Sequence, residues 1–255
     1  MGKRRISLQN IVASTLWLLT APSASAIVGN APAASDTRSA VMIVGSAGNF
    51  CTGARIARDL VLTAAHCVQA GAEYKLVEFD AARKPTMLDV ETVVRHPQFD
   101  IKALLGHRAT ADIALLKLKQ PLPASISTAS VAALDRTPVP GDTFVIYGFG
   151  VTARGDGRTS GTLRSASLVA TGKPGNLQIR LHDPDTRNES PGLGACTGDS
   201  GGPVVAGGRI VGVVSWSTGA NNTAGCGGLT GVTPLNLYLP WIIERSKALN
   251  SPLRQ

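Results

Sequence analysis

The run Gly198-Asp199-Ser200-Gly201-Gly202-Pro203 sets one serine hydroxyl in a turn so rich in glycine that its backbone N–H groups are free to meet a substrate. Such a turn suits acyl transfer. A serine hydroxyl is a weak nucleophile at neutral pH, so this chemistry needs a base to take its proton and a carboxylate to orient the base. His66 is the candidate base: it sits in Thr63-Ala64-Ala65-His66-Cys67, where the apolar stretch Ile56 to Leu62 ends, beside a cysteine able to pin the loop. Asp112 is the candidate carboxylate, at the mouth of the apolar run Ile113 to Leu118, where an acid is half buried.

Taken singly, a Gly-Asp-Ser-Gly turn, a histidine after a strand and an aspartate before one are ordinary surface or core features. Together, in the order His, Asp, Ser and each in extended surroundings, they match a nucleophile-base-orienter triad. The chain here resembles the trypsin/chymotrypsin family of serine endopeptidases. The likeness covers nearly everything after residue 26. Ile27-Val28-Gly29-Asn30 resembles the family's activated N-terminus, and Gly148-Phe149-Gly150 its Gly-Trp-Gly turn. Ser215-Trp216-Ser217 resembles the strand that pairs with bound peptide, and Pro240-Trp241-Ile242 the start of the closing helix.

The resemblance implies roles for further residues. The N–H groups of Gly198 and Ser200 would form the oxyanion hole, and Ser215 would donate to the Asp112 carboxylate. The α-amine of Ile27, once free, would pair with Asp199 and order the oxyanion loop. At the pocket floor, where trypsin-like members carry an aspartate, this chain has Gly194, with Ser217 and Gly231 aligned as walls. A pocket without an anion cannot offset the desolvation of a lysine or arginine side chain, so apolar residues are the expected preference. Glu78 matches one residue of the family's calcium loop, but residues 81–87 bring no second acid. No metal and no cofactor is expected.

The elements that must position these groups read as all-β. Short alternating or apolar stretches recur between Gly, Pro, Asn and Asp clusters: Ala40 to Val44, Ile56 to Leu62, Tyr74 to Phe79, Leu88 to Val94 and Ile113 to Leu118 in the first half. Thr143 to Ile146, Leu163 to Val169, Leu177 to Leu181, Pro203 to Val205 and Ile210 to Trp216 follow in the second. The one good helical candidate is Trp241 to Leu249, after Pro240. The resemblance implies two packed six-stranded antiparallel barrels, the first over about 27–120 and the second over about 140–235, with a C-terminal helix near 240–250. Lys119 to Pro140, with four prolines, reads as the crossing between them. The base and the nucleophile then lie on different halves, and the cleft between the halves is the expected site.

Lys3, Arg4 and Arg5, the apolar run Ile11 to Leu19 and Ala24-Ser25-Ala26 fit a cleaved secretory signal peptide over residues 1–26. That apolar run is shorter than the roughly 20 residues a membrane span needs, so a secreted or periplasmic protein without a span is expected. Removing the three basic residues lowers the net charge from +8 to +5. The remaining lysines and arginines are scattered without interleaved aromatics, which gives no nucleic-acid footprint. Four cysteines in an exported chain suggest two disulfides with three possible pairings. Adjacency and the family resemblance favour Cys51 with Cys67 and Cys196 with Cys226, both bracing the site.

The expected partners are protein or peptide substrates and protein inhibitors, and the expected state is a monomer. Because Ile27 follows the cleavage site directly, signal peptidase itself would liberate the activated N-terminus. Two rival classes fit the residues less well. A noncatalytic homologue acting as a binding protein would usually carry a substituted triad, and this chain carries all three residues. A serine esterase or lipase would need Gly-x-Ser-x-Gly and the order Ser, Asp, His. His96, His107 and His182 have no sequence partners that raise them above structural or solvated roles, and Arg154-Gly155-Asp156 reads as a surface loop.

Overall fold

The computed structural model describes residues 27–34, 39–80, 82–173 and 177–253. The segment read as a signal peptide lies outside them. The first six strands, β1 (Ala40–Gly45), β2 (Phe50–Ala57), β3 (Leu60–Thr63), β4 (Tyr74–Phe79), β5 (Pro85–Arg95) and β6 (Ala114–Leu118), close an antiparallel barrel in the order β1-β2-β3-β6-β5-β4. A second closed barrel, in the order β10-β11-β12-β9-β8-β7, is built from β7 (Thr143–Gly148), β8 (Arg164–Ala170), β9 (Ile179–His182), β10 (Pro203–Ala206), β11 (Arg209–Ser217) and β12 (Thr230–Pro234). Closure leaves neither sheet a free edge. Helix α1 (Ile101–Leu105) is a short turn in the loop before Asp112, and α2 (Leu239–Ala248) is the C-terminal helix. No helix among the described residues is long and apolar enough to cross a membrane.

Three expectations are corrected. The stretch Ile56 to Leu62 is a hairpin, with β2 ending at Ala57 and β3 starting at Leu60. Its turn, Arg58-Asp59, has no glycine, proline or asparagine to mark it. Strand β12 escaped notice because the glycine-rich run before it reads as a loop. Residues 27–34 belong with the second barrel and not the first: Val28 bridges to Gly194, Ala33 bridges to Arg164, and Ile27 and Ala31 sit in that barrel's core with Leu168, Leu181 and Val232.

Each barrel has its own apolar interior, and a third cluster fills the seam. Ala54, Leu60, Leu62 and Leu115 of the first barrel meet Ile210 and Val213 of the second there, with Ile242 of α2 packed against both. The crossing segment follows the same seam: Ala129 N–H donates to Arg55 O at 2.9 Å and Ala132 N–H to Ile210 O at 2.8 Å. The seam therefore holds the halves, and whatever they carry, in one relative position. Because Ile242 is fully buried where all three elements meet, Ile242→Ala should cost about 2–5 kcal/mol, read as a lower denaturant midpoint with the slope unchanged.

Candidate active site

His66 lies in a single turn, residues Ala65–Cys67, directly after β3, and the disulfide Cys51–Cys67 ties that turn back to β2. Asp112 stands just before β6, the strand that pairs with β3. The pairing explains the meeting of the two residues: β3 and β6 run side by side, so the exit of one delivers His66 to the entrance of the other. The Asp112 carboxylate is buried and takes three hydrogen bonds. His66 N–H reaches Oδ1 at 2.9 Å, His66 Nδ1 lies 2.8 Å from Oδ2, and Ser215 Oγ donates to Oδ2 at 2.6 Å. Ser215 is on β11, so this carboxylate joins the two barrels. A proton on Nδ1 satisfies the acid and leaves Nε2 as the acceptor.

Ser200 and His66 line one cavity of about 320 Å³ at the seam. Among the described residues no hydrogen bond joins their side chains, and Nε2 has only a long 3.9 Å contact with Cys67 Sγ. Looseness of this kind is common before substrate binds. Among the described residues, neither the Gly198 N–H nor the Ser200 N–H donates to a protein acceptor, whereas the neighbouring Asp199, Gly201 and Gly202 amides all do. Two adjacent unpaired donors beside a serine make a receptor for an oxyanion. Gly198 has φ +94°, and a Cβ there would overlap the Phe50 ring, so only glycine fits.

The second disulfide, Cys196–Cys226, also forms. Three residues to which the sequence assigned no role prove to pack around the site. Thr52, fully buried on β2, donates from Oγ1 to Gly198 O at 2.8 Å and accepts there from Phe149 N–H at 3.0 Å. Its own N–H donates to Ser200 O at 2.9 Å, and its carbonyl accepts from Thr63 Oγ1 at 2.9 Å. A threonine inside a strand gives no sequence signal for a clamp on a loop about 150 residues away. His107 stacks on Trp216 with ring centroids 4.5 Å apart. Thr230 is the third.

Thr230 lies beside the expected pocket. Strands β11 and β12 pair Trp216 with Gly231 and Ser217 with Thr230. Directly opposed residues share a face, so Thr230 stands opposite Ser217, and Gly231 lies beneath the Trp216 indole. Of the residues expected at the pocket, Ser217 lines the cavity, with Ala195 and Val214 beside it, and Gly194, Gly231 and Thr230 are not part of its lining. Thr230 is buried, and its Oγ1 accepts from Ala195 N–H at 3.0 Å. The cavity lining carries no Asp, Glu, Lys or Arg.

Asp199 is fully buried. It accepts from Gly150 N–H at 2.8 Å and Cys196 N–H at 2.9 Å, yet among the described residues it has no cationic partner, and burial pushes its pKa up to about 7. Ile27 is buried with φ +54°, a left-handed backbone that a β-branched residue rarely tolerates. Elsewhere Glu78 is paired with Arg55. Among the described residues, the trio Cys51, His66 and Cys67 groups possible metal ligands, but its two sulfurs are joined to each other.

Residues 27–242 match the family model described as Trypsin. The chain belongs to the trypsin family of serine proteases. Among curated relatives it is 32% identical to human Kallikrein-15 over 78% of this chain and 83% of that one. It is 30% identical to Trypsin iota of Drosophila melanogaster over 96% of this chain and all of that one. Among solved structures, mouse neuropsin, titled a serine protease, superposes with TM-score 0.63 at 21% identity, covering 82% of this chain and 95% of its own. The structure titled HBP does so with TM-score 0.69 at 23% identity, covering 89% and 99%. These two likenesses concern the fold.

Two measurements follow from the site's geometry. Thr52→Val keeps the shape of the side chain but strands the Phe149 N–H and the Gly198 carbonyl, so it should lower stability by about 2–4 kcal/mol. Thr52→Ser keeps the hydroxyl and should lose only about 1 kcal/mol. In the uncut chain the Asp199 carboxyl has a folded pKa above its unfolded value of 3.8. The folded state therefore holds the proton more tightly, and stability falls as pH rises from about 4 to about 7. The loss should approach roughly 4 kcal/mol, at about 1.4 kcal/mol per pH unit, in denaturant titrations across that range.

Proposed function

We propose that the protein is an exported serine endopeptidase in which Ser200 attacks the scissile carbonyl and His66 is the base. The reading rests above all on the buried Asp112 carboxylate, whose contacts with both His66 and Ser215 hold the imidazole at the cavity that Ser200 lines. As Ser200 Oγ bonds to the carbonyl carbon, its proton passes to His66 Nε2. The imidazolium is stabilised by Asp112, and the negative oxygen is received by the Gly198 and Ser200 N–H groups. The C–N bond then breaks and the amine leaves with the proton from His66. Water, deprotonated by the same nitrogen, hydrolyses the acyl-enzyme and restores Ser200.

Activation by a cut before Ile27 is supported by two features of the uncut chain. Asp199 is a buried carboxylate without a cation, and Ile27 has a strained φ. A free α-amine would supply the cation, and a terminal residue has no preceding carbonyl to clash. The pair would lower the Asp199 pKa and raise that of the amine. Its contribution is then present at neutral pH and lost as pH climbs through the amine's raised value. Export is supported by the two disulfides, which fit an oxidising compartment.

The pocket favours apolar side chains before the cut, because no charged residue lines it. Purified protein beginning at Ile27, assayed on peptides varied at that residue, tests the whole reading. Ala or Val peptides should be cleaved at least about 100-fold faster than Arg peptides, activity should fall in strong alkali, and Ser200→Ala should abolish turnover. Equal rates on Arg peptides would refute the pocket. Hydrolysis that survives in Ser200→Ala would refute the mechanism, and no hydrolysis of any peptide would favour a binding homologue.

A further inference from the structure

A second concave surface, about 800 Å³ in volume, is lined in part by Arg180, whose guanidinium lies over the Trp216 ring. Lys173, Arg180, His182 and Arg187 line it, and among the described residues no aspartate or glutamate does. The ion pairs of the described residues are all elsewhere: Arg55, Lys75, Lys117, Arg136, Arg158 and Arg245 each have a carboxylate, while Lys173, Arg180 and Arg187 have none. Arg180 directs its donors only to neutral oxygens, Gln178 Oε1 at 3.3 Å and His107 O at 3.4 Å. The acids nearest in sequence are committed or turned away. Asp183 accepts from the Asp185 and Leu193 N–H groups, Asp142 is held by both terminal nitrogens of Arg136, and Asp185 and Glu189 are exposed off the lining.

The groove is joined to the cleft by a row of three residues across three strands. Register pairs Trp216 with Gly231 and Gly231 with Arg180. With no side chain on the middle strand, the guanidinium of Arg180 comes to 5.6 Å from the Trp216 ring centroid, inside cation–π range. Trp216 also lines the cavity of Ser200 and His66. Arg180 and His182 alternate on β9 and so project to one side, which carries the positive charge from the edge of the cleft into the groove. At its rim, the Asn188 Oδ1 is buried without a partner, an acceptor suited to an amide N–H.

We propose that this groove is a recognition site for acidic side chains of a peptide substrate, entered by the stretch of chain on the N-terminal side of the bond to be cut. The proposal rests on the endopeptidase reading for the word substrate, but the binding itself does not. Unneutralised arginines in a concave surface select carboxylates by charge and by bidentate geometry. The apolar members of the lining, Val169, Ala170 and Leu229 among them, and the amide acceptor at the rim favour a polypeptide over a bare polyanion.

The test uses Ser200→Ala protein beginning at Ile27, so that no cleavage is needed. Labelled peptides carry Ala before the cut and a pair of Glu, Gln or Lys residues moved one position at a time along the N-terminal side, and binding is read by anisotropy. At one register the Glu peptide should bind about tenfold more tightly than the Gln peptide and more tightly still than the Lys peptide. The preference should shrink in 0.5 M salt, on the order expected for screened charges, and vanish in a Lys173→Gln/Arg187→Gln variant, whose changes are on exposed side chains. With Ser200 intact, the same register should lower KM with kcat little changed, and hydrolysis of the Gln peptide should be equal in the variant. Equal binding of Glu and Gln peptides at every register, or a preference that survives the variant, would overturn the proposal. So would tight binding of a sulfated polysaccharide without any discrimination among the peptides. Should no peptide be hydrolysed while the Glu preference stands, the endopeptidase reading fails and the groove does not.

Discussion

A carboxylate sealed between two barrels governs this structure. Removing an ionised acid from water is tolerable only if hydrogen bonds replace hydration. At Asp112 the replacements come from both halves of the molecule, the backbone and ring of His66 on one side and the Ser215 hydroxyl on the other. The barrels therefore cannot slide or rotate against each other without exposing or stranding that charge. The apolar seam around Leu60, Val213 and Ile242 supplies the driving force for their contact, and it is nondirectional. Asp112 adds direction to it.

Thr52 performs the same service at the nucleophile turn. The turn has a left-handed glycine and two N–H groups without protein acceptors, a conformation a free loop would abandon. A threonine from the opposite barrel fixes the carbonyl of Gly198 and the carbonyl of Ser200 at once. With those carbonyls held, the neighbouring peptide planes have little freedom to rotate, and the unpaired N–H groups stay available. Preorganisation of this kind keeps donors aimed at developing charge without reorganisation during reaction.

The parts legible in the sequence were those in which local chemistry and tertiary role coincide. Gly198 to Pro203, the His66 turn and the Asp112 strand mouth are each ordinary alone but legible together in the order His, Asp, Ser, and alternation of apolar residues marked most strands of both barrels. The rest depended on register. A strand's two faces exchange with a shift of one residue, so motif alignment alone could not tell that Thr230, and not Gly231, stands opposite Ser217. The bond from Thr52 to Gly198 and the row Trp216, Gly231, Arg180 were invisible for the same reason: they join residues across strands, and sequence spacing is silent about which strand lies beside which. Gly231 is instructive here, since its missing side chain serves the contact between its two neighbours and not the pocket.

Two aspartates then divide the work by how their burial is compensated. Asp112 has three donors within one seam, including a ring able to take positive charge, and its environment is complete in the folded chain. Asp199 is as deeply buried with two backbone donors and no cation. An incomplete site of this sort sits uphill of a completed one, and the difference is available to whichever cation arrives. The segment that begins at Ile27 is already packed in the second barrel's core with Ala195. On the activation proposed above, a cut before Ile27 would supply the missing cation, and the order of the turn around Ser200 would then follow the covalent state of the chain.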